Sequence, residues 1–192
     1  MIEIRKEFLD ADRAAAAALY WEAFGGKLGK VMGPKPRALA FIERVIDPSH
    51  AFSAYEGSTL LGLAGFKTMD GALVGGDFDD LRAIYGRWGA LWRAGALWLL
   101  ERDTENARFL MDGIVTTEAA RGRGVGTKLL EAISDEARSR GYSAVRLDVI
   151  DTNPRARALY ERRGFRPVGT EKSSITKLLF GFESATTMVR DL

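Results

Sequence analysis

The chain has 192 residues, of which 46% are apolar and 28% are charged, the composition of an ordinary globular protein. Its formal net charge of +2 argues against a general nucleic-acid-binding protein, because such proteins usually carry a clear basic excess. The absence of cysteine and the single histidine exclude disulfides, thiolate catalysis and metal sites built from cysteines or several histidines.

Two features bear on the location of the protein in the cell. Residues 1–9 are charged and have little apolar length, so we expect no secretory signal. The longest apolar stretch, around residues 94–100, is far too short to span a bilayer. We therefore expect a cytoplasmic protein without a membrane span.

Turn residues and apolar periodicity divide the N-terminal part of the chain into short elements. The pair Gly25 and Gly26 is predicted to end the first helix and to open a loop that lasts to Pro36. Gly57 and Ser58 are predicted to form the turn of a hairpin. The predicted elements are a strand near residues 2–8, helices at 11–24 and 37–46, and strands at 52–56 and 60–68.

Residues 77–102 are predicted to form a helix, because their apolar side chains recur at helical spacing. Three glycines, the first of them Gly86, are expected to kink or split it. This segment holds Trp88, Trp92 and Trp98, three of the four tryptophans of the chain. We favour an amphipathic helix that packs on the sheet; a wall of a binding pocket and a dimer arm are the alternatives.

The C-terminal part predicts alternating strands and helices. The predicted elements are strands at residues 110–116 and 144–150, helices at 126–140 and 154–163, and a last strand around 186–189. The order of elements is βααββ, a helical insert, and then βαβαββ. Because no internal repeat or linker interrupts this order, we expect one α/β or α+β domain over residues 1–192.

The most informative motif is the run Arg-Gly-Arg-Gly-Val-Gly at residues 121–126, between a predicted strand and a predicted helix. Alternate glycines allow backbone N–H groups to converge, and the first turn of the helix adds its unpaired N–H groups and the positive end of its dipole. Arg121 and Arg123 add positive charge. This arrangement predicts a site for a phosphate or a pyrophosphate.

Two other phosphate-binding motifs differ from this run. The P-loop pattern Gly-x-x-x-x-Gly-Lys-Ser/Thr is absent. The dinucleotide fingerprint requires Gly-x-Gly-x-x-Gly early in the chain, whereas the spacing here is Gly-x-Gly-x-Gly and falls past the middle. Asp148 stands roughly 20 residues later, where a ribose-binding acid is expected, so a nucleotide-binding oxidoreductase remains a weak alternative.

The glycine run is similar to the acyl-CoA pyrophosphate motif Gln/Arg-x-x-Gly-x-Gly/Ala of the GNAT N-acetyltransferases. A second GNAT motif follows the next predicted strand: residues 153–160 read Asn-Pro-Arg-Ala-Arg-Ala-Leu-Tyr, and Gly164 and Phe165 complete it. Both motifs occur in the family's order, and the close resemblance covers residues 110–165. The resemblance implies a mixed, mostly antiparallel twisted sheet flanked by helices. The chain departs from the family, which usually has a short turn before the central cofactor-binding strand, by a helical insertion at about residues 77–105.

The resemblance also implies roles for individual residues. Asn153 is expected to hydrogen-bond the cofactor arm, and Tyr160 to protonate the leaving thiolate of coenzyme A. A tyrosine with a pKa near ~10 is a reasonable proton donor to a thiolate. The strand expected to pair with the pantetheine arm comprises Ile114, Val115 and Thr116. Seven backbone N–H groups are expected to hold the pyrophosphate, those of Arg121, Gly122, Arg123, Gly124, Val125, Gly126 and Thr127.

The general base is less clearly marked than the acid. Asp112 lies two residues before Ile114, on the strand that is expected to line the cleft, and is our candidate. The alternatives are an aspartate with a purely structural role and a proton path made of water alone.

The resemblance implies transfer of an acetyl group from acetyl-CoA to a primary amine by direct attack in a ternary complex, without a metal. The acceptor, a small molecule or a protein, is not identified by the sequence, and homodimer formation is left open. We expect acceptor specificity to reside in the insertion and in residues 20–37. The alternatives are an acyl-CoA-binding module without turnover and, ranked last, the oxidoreductase.

Overall fold

The computed structural model describes residues 1–98 and 107–192. The described strands are β1 (Ile2–Lys6), β2 (Ala51–Glu56), β3 (Thr59–Lys67), β4 (Phe109–Thr116), β5 (Ala144–Ile150), β6 (Arg166–Lys172) and β7 (Ser184–Asp191). The described helices are α1 (Arg13–Met32), α2 (Lys35–Val45), α3 (Phe78–Trp98), α4 (Val125–Ser139), α5 (Pro154–Arg162) and α6 (Ser174–Phe180).

The strands form one sheet in the order β1-β2-β3-β4-β5-β7-β6. Neighbouring strands run antiparallel except β4 and β5, which run parallel. One apolar core contains residues of α1, α2 and α3, and the other contains residues of α4 together with Tyr160 of α5. The predicted mixed, mostly antiparallel sheet flanked by helices, with a helix inserted before the central strand, is therefore confirmed.

The first helix is longer than predicted. It does not end at Gly25 but continues to Met32, so the predicted loop of residues 25–36 is wrong. At Gly25 a Cβ atom would lie 2.7 Å from the ring of Trp21, which shows how closely that ring covers the backbone. Val31 and Met32 are buried in the core, and this packing outweighs the weak helix propensity of the glycines.

The inserted helix α3 is broken at Gly86, as the glycines predicted, because this residue has a φ of 71°. The helix packs on α1 and α2 rather than mainly on the sheet. The favoured packing of this helix on the sheet is therefore wrong, and Trp88, Trp92 and Trp98 are 80%, 47% and 64% exposed. The predicted continuation of the helix beyond residue 98 lies outside the described residues.

Arg93 fastens α3 to the end of α1. Its guanidinium group donates to the carbonyl oxygens of Gly89 and Gly33, both at 3.1 Å, and lies 3.9 Å from the centre of the Tyr85 ring. The Tyr85 hydroxyl donates to the carbonyl oxygen of Met32 at 2.6 Å. A buried arginine bonded in this way contributes to stability through both its hydrogen bonds and its stacking.

Replacing Arg93 with alanine is expected to reduce the free energy of unfolding by about 2 kcal/mol, because two charge-assisted hydrogen bonds and a cation–π contact are lost. Urea denaturation followed by circular dichroism measures this. Arg82→Ala is the matched control: Arg82 pairs with Asp79 at 3.3 Å on the exposed side of the same helix, and such pairs contribute less than about 1 kcal/mol. Equal losses in both variants would contradict an anchoring role for Arg93.

No helix within the described residues combines the length and the hydropathy that a membrane-spanning helix requires.

Candidate active site

The central feature of the site is an opening in the sheet. β4 and β5 pair only through Phe109 with Val145 and Leu110 with Arg146. Beyond Leu110 the two strands have no further pairing within the described residues, although β4 continues to Thr116 and stays paired with β3 on its other side. The edge of β4 from Ile114 to Thr116 therefore faces a gap that an extended chain could fill by backbone hydrogen bonding.

A β-bulge places Asp112 at the start of this gap. Gly65 of β3 pairs with Gly113 while Phe66 pairs with Met111, so Asp112 is the additional residue on β4. Bulges turn a side chain out of its regular direction and often occur next to active sites. Asp112 is exposed and lines the cavity described below.

The glycine-rich run forms the turn that was predicted between β4 and α4. Gly122 and Gly124 have φ values of 77° and 78°, a conformation that glycine adopts without strain, and a Cβ atom at either position would meet nothing within 4 Å. Gly124 is the N-cap of α4, so the first amides of that helix point out of its N-terminus.

Two of the seven predicted pyrophosphate-binding amides already have partners. The N–H of Arg121 donates to the carbonyl oxygen of Glu118 at 3.1 Å, and that of Arg123 donates to the carbonyl oxygen of Ala120 at 3.3 Å. Within the described residues the other five amides have no acceptor, and these belong to Gly122, Gly124, Val125, Gly126 and Thr127. This open cradle of amides at a helix N-terminus fits a pyrophosphate group.

The two arginines of the run are held by carboxylates. Arg123 donates to Glu56 at 2.6 Å, and Arg121 lies 3.5 Å from Glu118. All four side chains are substantially exposed, so these ion pairs are weak and can exchange for a phosphate.

Replacing Arg121 and Arg123 together with alanine is expected to weaken coenzyme A binding by about tenfold, since each exposed charge contributes about 0.5–1 kcal/mol. Calorimetric titration at two salt concentrations measures this, and the loss of affinity with salt should be smaller in the variant than in the wild type. Arg138→Ala, at the other end of α4, is the control and should bind normally. Unchanged affinity in the double variant would make both arginines surface charges only.

Asn153 caps the helix that carries the predicted acid. Its side-chain oxygen accepts a hydrogen bond from the N–H of Ala156 at 3.1 Å, and Pro154 occupies the first helical position. The capping role is therefore observed, and the contact of Asn153 with the cofactor arm remains a prediction.

Tyr160 lies in the core on the α4 side of the sheet. It is 5% exposed, and its ring centre is 5.8 Å from that of Phe165. Burial raises the pKa of Tyr160 above its ordinary value, because the phenolate would be poorly solvated there. The hydroxyl group therefore stays protonated and able to donate.

A cavity of about 930 Å³ lies on the opposite face of the sheet, among α1, α2, α3 and the ends of β4 and β5. Asp112, Arg146 and Asp148 line it at the strands, so the cavity adjoins the gap between β4 and β5. Leu81 and Leu97 of α3 line it on the outside. The insertion therefore forms one wall of the cavity, which was the alternative interpretation of this segment.

Three residues of α1, all within the range 20–37 in which the sequence predicts acceptor specificity, line this cavity: Tyr20, Phe24 and Lys27. Burial raises the pKa of Tyr20, and the nearby carboxylate of Asp112 raises it further. Burial lowers the pKa of Lys27, while Asp112 and Asp148 act in the opposite direction. Their spacing is helical, but the predicted end of α1 at Gly25 concealed it.

The single histidine, His50, has a structural role and is not part of the candidate site. His50 is 8% exposed, and its ring nitrogens bond to Asp47 at 2.8 Å and to Thr68 at 3.0 Å. These contacts hold together the turns before β2 and after β3, and His50 does not line the cavity.

A mostly antiparallel sheet that opens between β4 and β5, beside a helix N-terminus, is the α/β fold that the sequence resemblance implied. The model of the acetyltransferase (GNAT) family matches residues 13–165, so this chain belongs to that family. The mostly antiparallel sheet also disagrees with the parallel sheet that the oxidoreductase alternative requires.

Named relatives agree with this assignment. The chain is 40% identical to mycothiol acetyltransferase of Beutenbergia cavernae over 73 residues, which are 38% of this chain and 24% of that protein. It is 43% identical to an acetyltransferase of Agrobacterium fabrum over 53 residues, which are 28% of this chain and 37% of that protein. The chain therefore spans well under half the length of these curated relatives.

Among solved structures, an N-acetyltransferase from Staphylococcus aureus Mu50 superposes with a TM-score of 0.68 and 18% identity, over 97% of this chain and 99% of that one. At this identity the likeness shows the fold alone.

Proposed function

We propose that this protein transfers an acetyl group from acetyl-CoA to the primary amine of a small molecule, by direct attack in a ternary complex. The observation that carries the proposal is the parting of β4 from β5 after Leu110. This gap provides a free strand edge that runs from Asp112, at the cavity, to Thr116, beyond which the chain continues to the amide cradle of α4. The names of the curated relatives favour acetyl as the transferred group.

The chain's own groups would hold the donor as follows. The amides of residues 122 and 124–127 would bind the pyrophosphate, helped by Arg121 and Arg123. The backbone of Ile114, Val115 and Thr116 would pair with the pantetheine arm, and Asn153 would bond that arm from α5. Acetyl-CoA would supply the activated thioester, whose reaction with an amine needs no metal.

The chemistry then requires two proton transfers and one polarising contact. The acceptor nitrogen forms a bond to the carbonyl carbon while the carbon–sulfur bond breaks, and Tyr160 gives its proton to the departing thiolate and regains one from solvent. Asp112, or water beside it, takes the proton that the amine loses. The N–H of Thr117 donates to Leu61 of β3, and because alternate residues of a strand point the same way, the N–H of Val115 also points to β3. The backbone N–H of Ile114, on the side of the gap, would polarise the carbonyl group.

A small acceptor is favoured by the shape of the cavity. Its volume of about 930 Å³ lies within the range of small-molecule sites, and α3 covers it on the outside. The carboxylates of Asp112 and Asp148 at its inner end suit an ammonium group that approaches the strands.

Calorimetric titration with acetyl-CoA, with NADH as a control, tests the proposal first. Saturable binding of acetyl-CoA alone is the expected result, followed by thiol release when a panel of primary amines is added. Binding without thiol release for any amine would favour a non-catalytic acyl-CoA-binding module. No binding of acetyl-CoA would overturn the proposal.

A further inference from the structure

Phe24 of α1 lies directly on the backbone of Gly113 in β4. A Cβ atom built at Gly113 would lie 2.4 Å from the Cζ atom of Phe24, and two more ring atoms would lie 3.2 and 3.3 Å away. Real Cβ atoms essentially never approach this closely, so the ring occupies the place of a side chain at position 113. The aromatic ring, rather than the backbone conformation, therefore favours glycine at this position.

Gly113 stands where the acyl end of the donor would arrive. The amide cradle lies C-terminal to Thr116, and the strand edge for the donor's arm runs back from Thr116 to Ile114. If the pyrophosphate of the donor binds at the cradle and its pantetheine arm pairs with this edge, the acyl group at the other end of the arm lies at Gly113 and the bulge at Asp112. The position follows from the order of these residues along β4.

The ring of Phe24 packs against the ring of Tyr20. Its centre is 4.5 Å from that of Tyr20, one turn earlier in α1, and both rings line the cavity. Lys27 lies one turn further on in the same wall. A packed aromatic pair on a helix does not yield space as a mobile loop would.

We propose that Phe24 limits the acyl group to acetyl, because the edge of its ring closes the space over Gly113 that further methylene groups would need. This inference rests on the proposed function, since it assumes that an acyl-CoA binds along β4. Phe24 would select the acyl-CoA donor by the length of its acyl group, and the rest of the cavity would bind the acceptor.

The test compares the affinity of acetyl-CoA with that of butyryl-CoA by calorimetry in the absence of any acceptor. In the wild type we expect butyryl-CoA to bind at least about tenfold more weakly, the discrimination typical of one or two methylene groups in a closed apolar pocket. In Phe24→Ala the ratio is expected to approach unity, because the ring is removed. Thiol release with the two donors should change in the same direction.

Phe78→Ala is the matched control, since Phe78 is another phenylalanine of the cavity wall, on α3, and its ring is not among the nearest atoms over Gly113. Its donor ratio should equal that of the wild type. Phe24→Leu provides a smaller change if the alanine variant folds poorly, and circular dichroism checks folding in each variant.

The outcomes separate the two claims. Equal affinities for both donors in the wild type, or a ratio unchanged in folded Phe24→Ala and Phe24→Leu, would overturn the role of Phe24 while acetyl-CoA binding stands. If neither acetyl-CoA nor coenzyme A binds to the wild type, the proposed function itself fails.

Discussion

Replacing Tyr160 with phenylalanine is expected to lower kcat for acetyl transfer by about 100-fold, the usual contribution of a positioned acid. Affinity for acetyl-CoA should change little, because the ring keeps its contacts with Phe165 and the core of α4. Steady-state thiol release and calorimetric titration of the same preparation measure the two quantities. A fall in kcat without a fall in affinity identifies a proton donor rather than a packing residue.

The pH dependence gives a second measurement on the same group. Because burial raises the pKa of Tyr160, its hydroxyl remains protonated at least to its ordinary value near 10. The wild-type rate should therefore show no loss from tyrosine ionisation below about pH 10. Tyr142→Phe, a half-buried tyrosine of the same core, serves as the control and should retain the wild-type kcat. Full activity in Tyr160→Phe across this range would disprove the acid role.

The second large effect is expected for Gly113→Ala. The new Cβ atom would overlap the ring of Phe24, so the ring, α1 or β4 must move. Overpacking of this kind costs about 1–3 kcal/mol of stability, and displacement of β4 beside the bulge should reduce kcat/KM by about tenfold or more, as small misplacements at a reacting centre do. Urea denaturation and thiol release measure the two losses.

Two variants make this prediction specific. The double variant Gly113→Ala, Phe24→Ala should be more stable than the sum of its single changes implies, because the clash has been removed. Gly169→Ala in β6 is the control, since a Cβ atom there would meet nothing within 4 Å. If Gly169→Ala is as harmful as Gly113→Ala, the contact with Phe24 is not the cause. Additive losses in the double variant would lead to the same conclusion.

The parts of the site that the sequence predicted are those with local signals. The bounds of β5 agree with the prediction, and α4 and α5 differ from it by one residue, because glycine turns, an asparagine cap and apolar periodicity mark them. The strand β4 and the glycine run were found for the same reason. The family assignment followed from two motifs that lie within these local elements.

The parts that were missed depend on contacts between distant segments. Gly25 looked like the end of a helix, yet the ring of Trp21 and the buried residues at the end of α1 keep the helix intact. As a result the sequence predicted acceptor specificity for residues 20–37 but not the helical face that brings Phe24 and Lys27 together on the cavity wall. The bulge at Asp112 depends on the register between β3 and β4, which no pattern in β4 alone reveals.

The short junction between β4 and β5 has a consequence for the lifetime of the protein. In the part of the chain that the structure describes, two residue pairs join the half-sheet β1–β4 to the half-sheet β5–β7. A donor seated between them would act as a removable eighth strand and would stabilise the native state in proportion to the logarithm of its concentration. A higher concentration of acyl-CoA would then slow the unfolding and degradation of this protein. The donor concentration would therefore affect the amount of the protein as well as the rate of acetyl transfer.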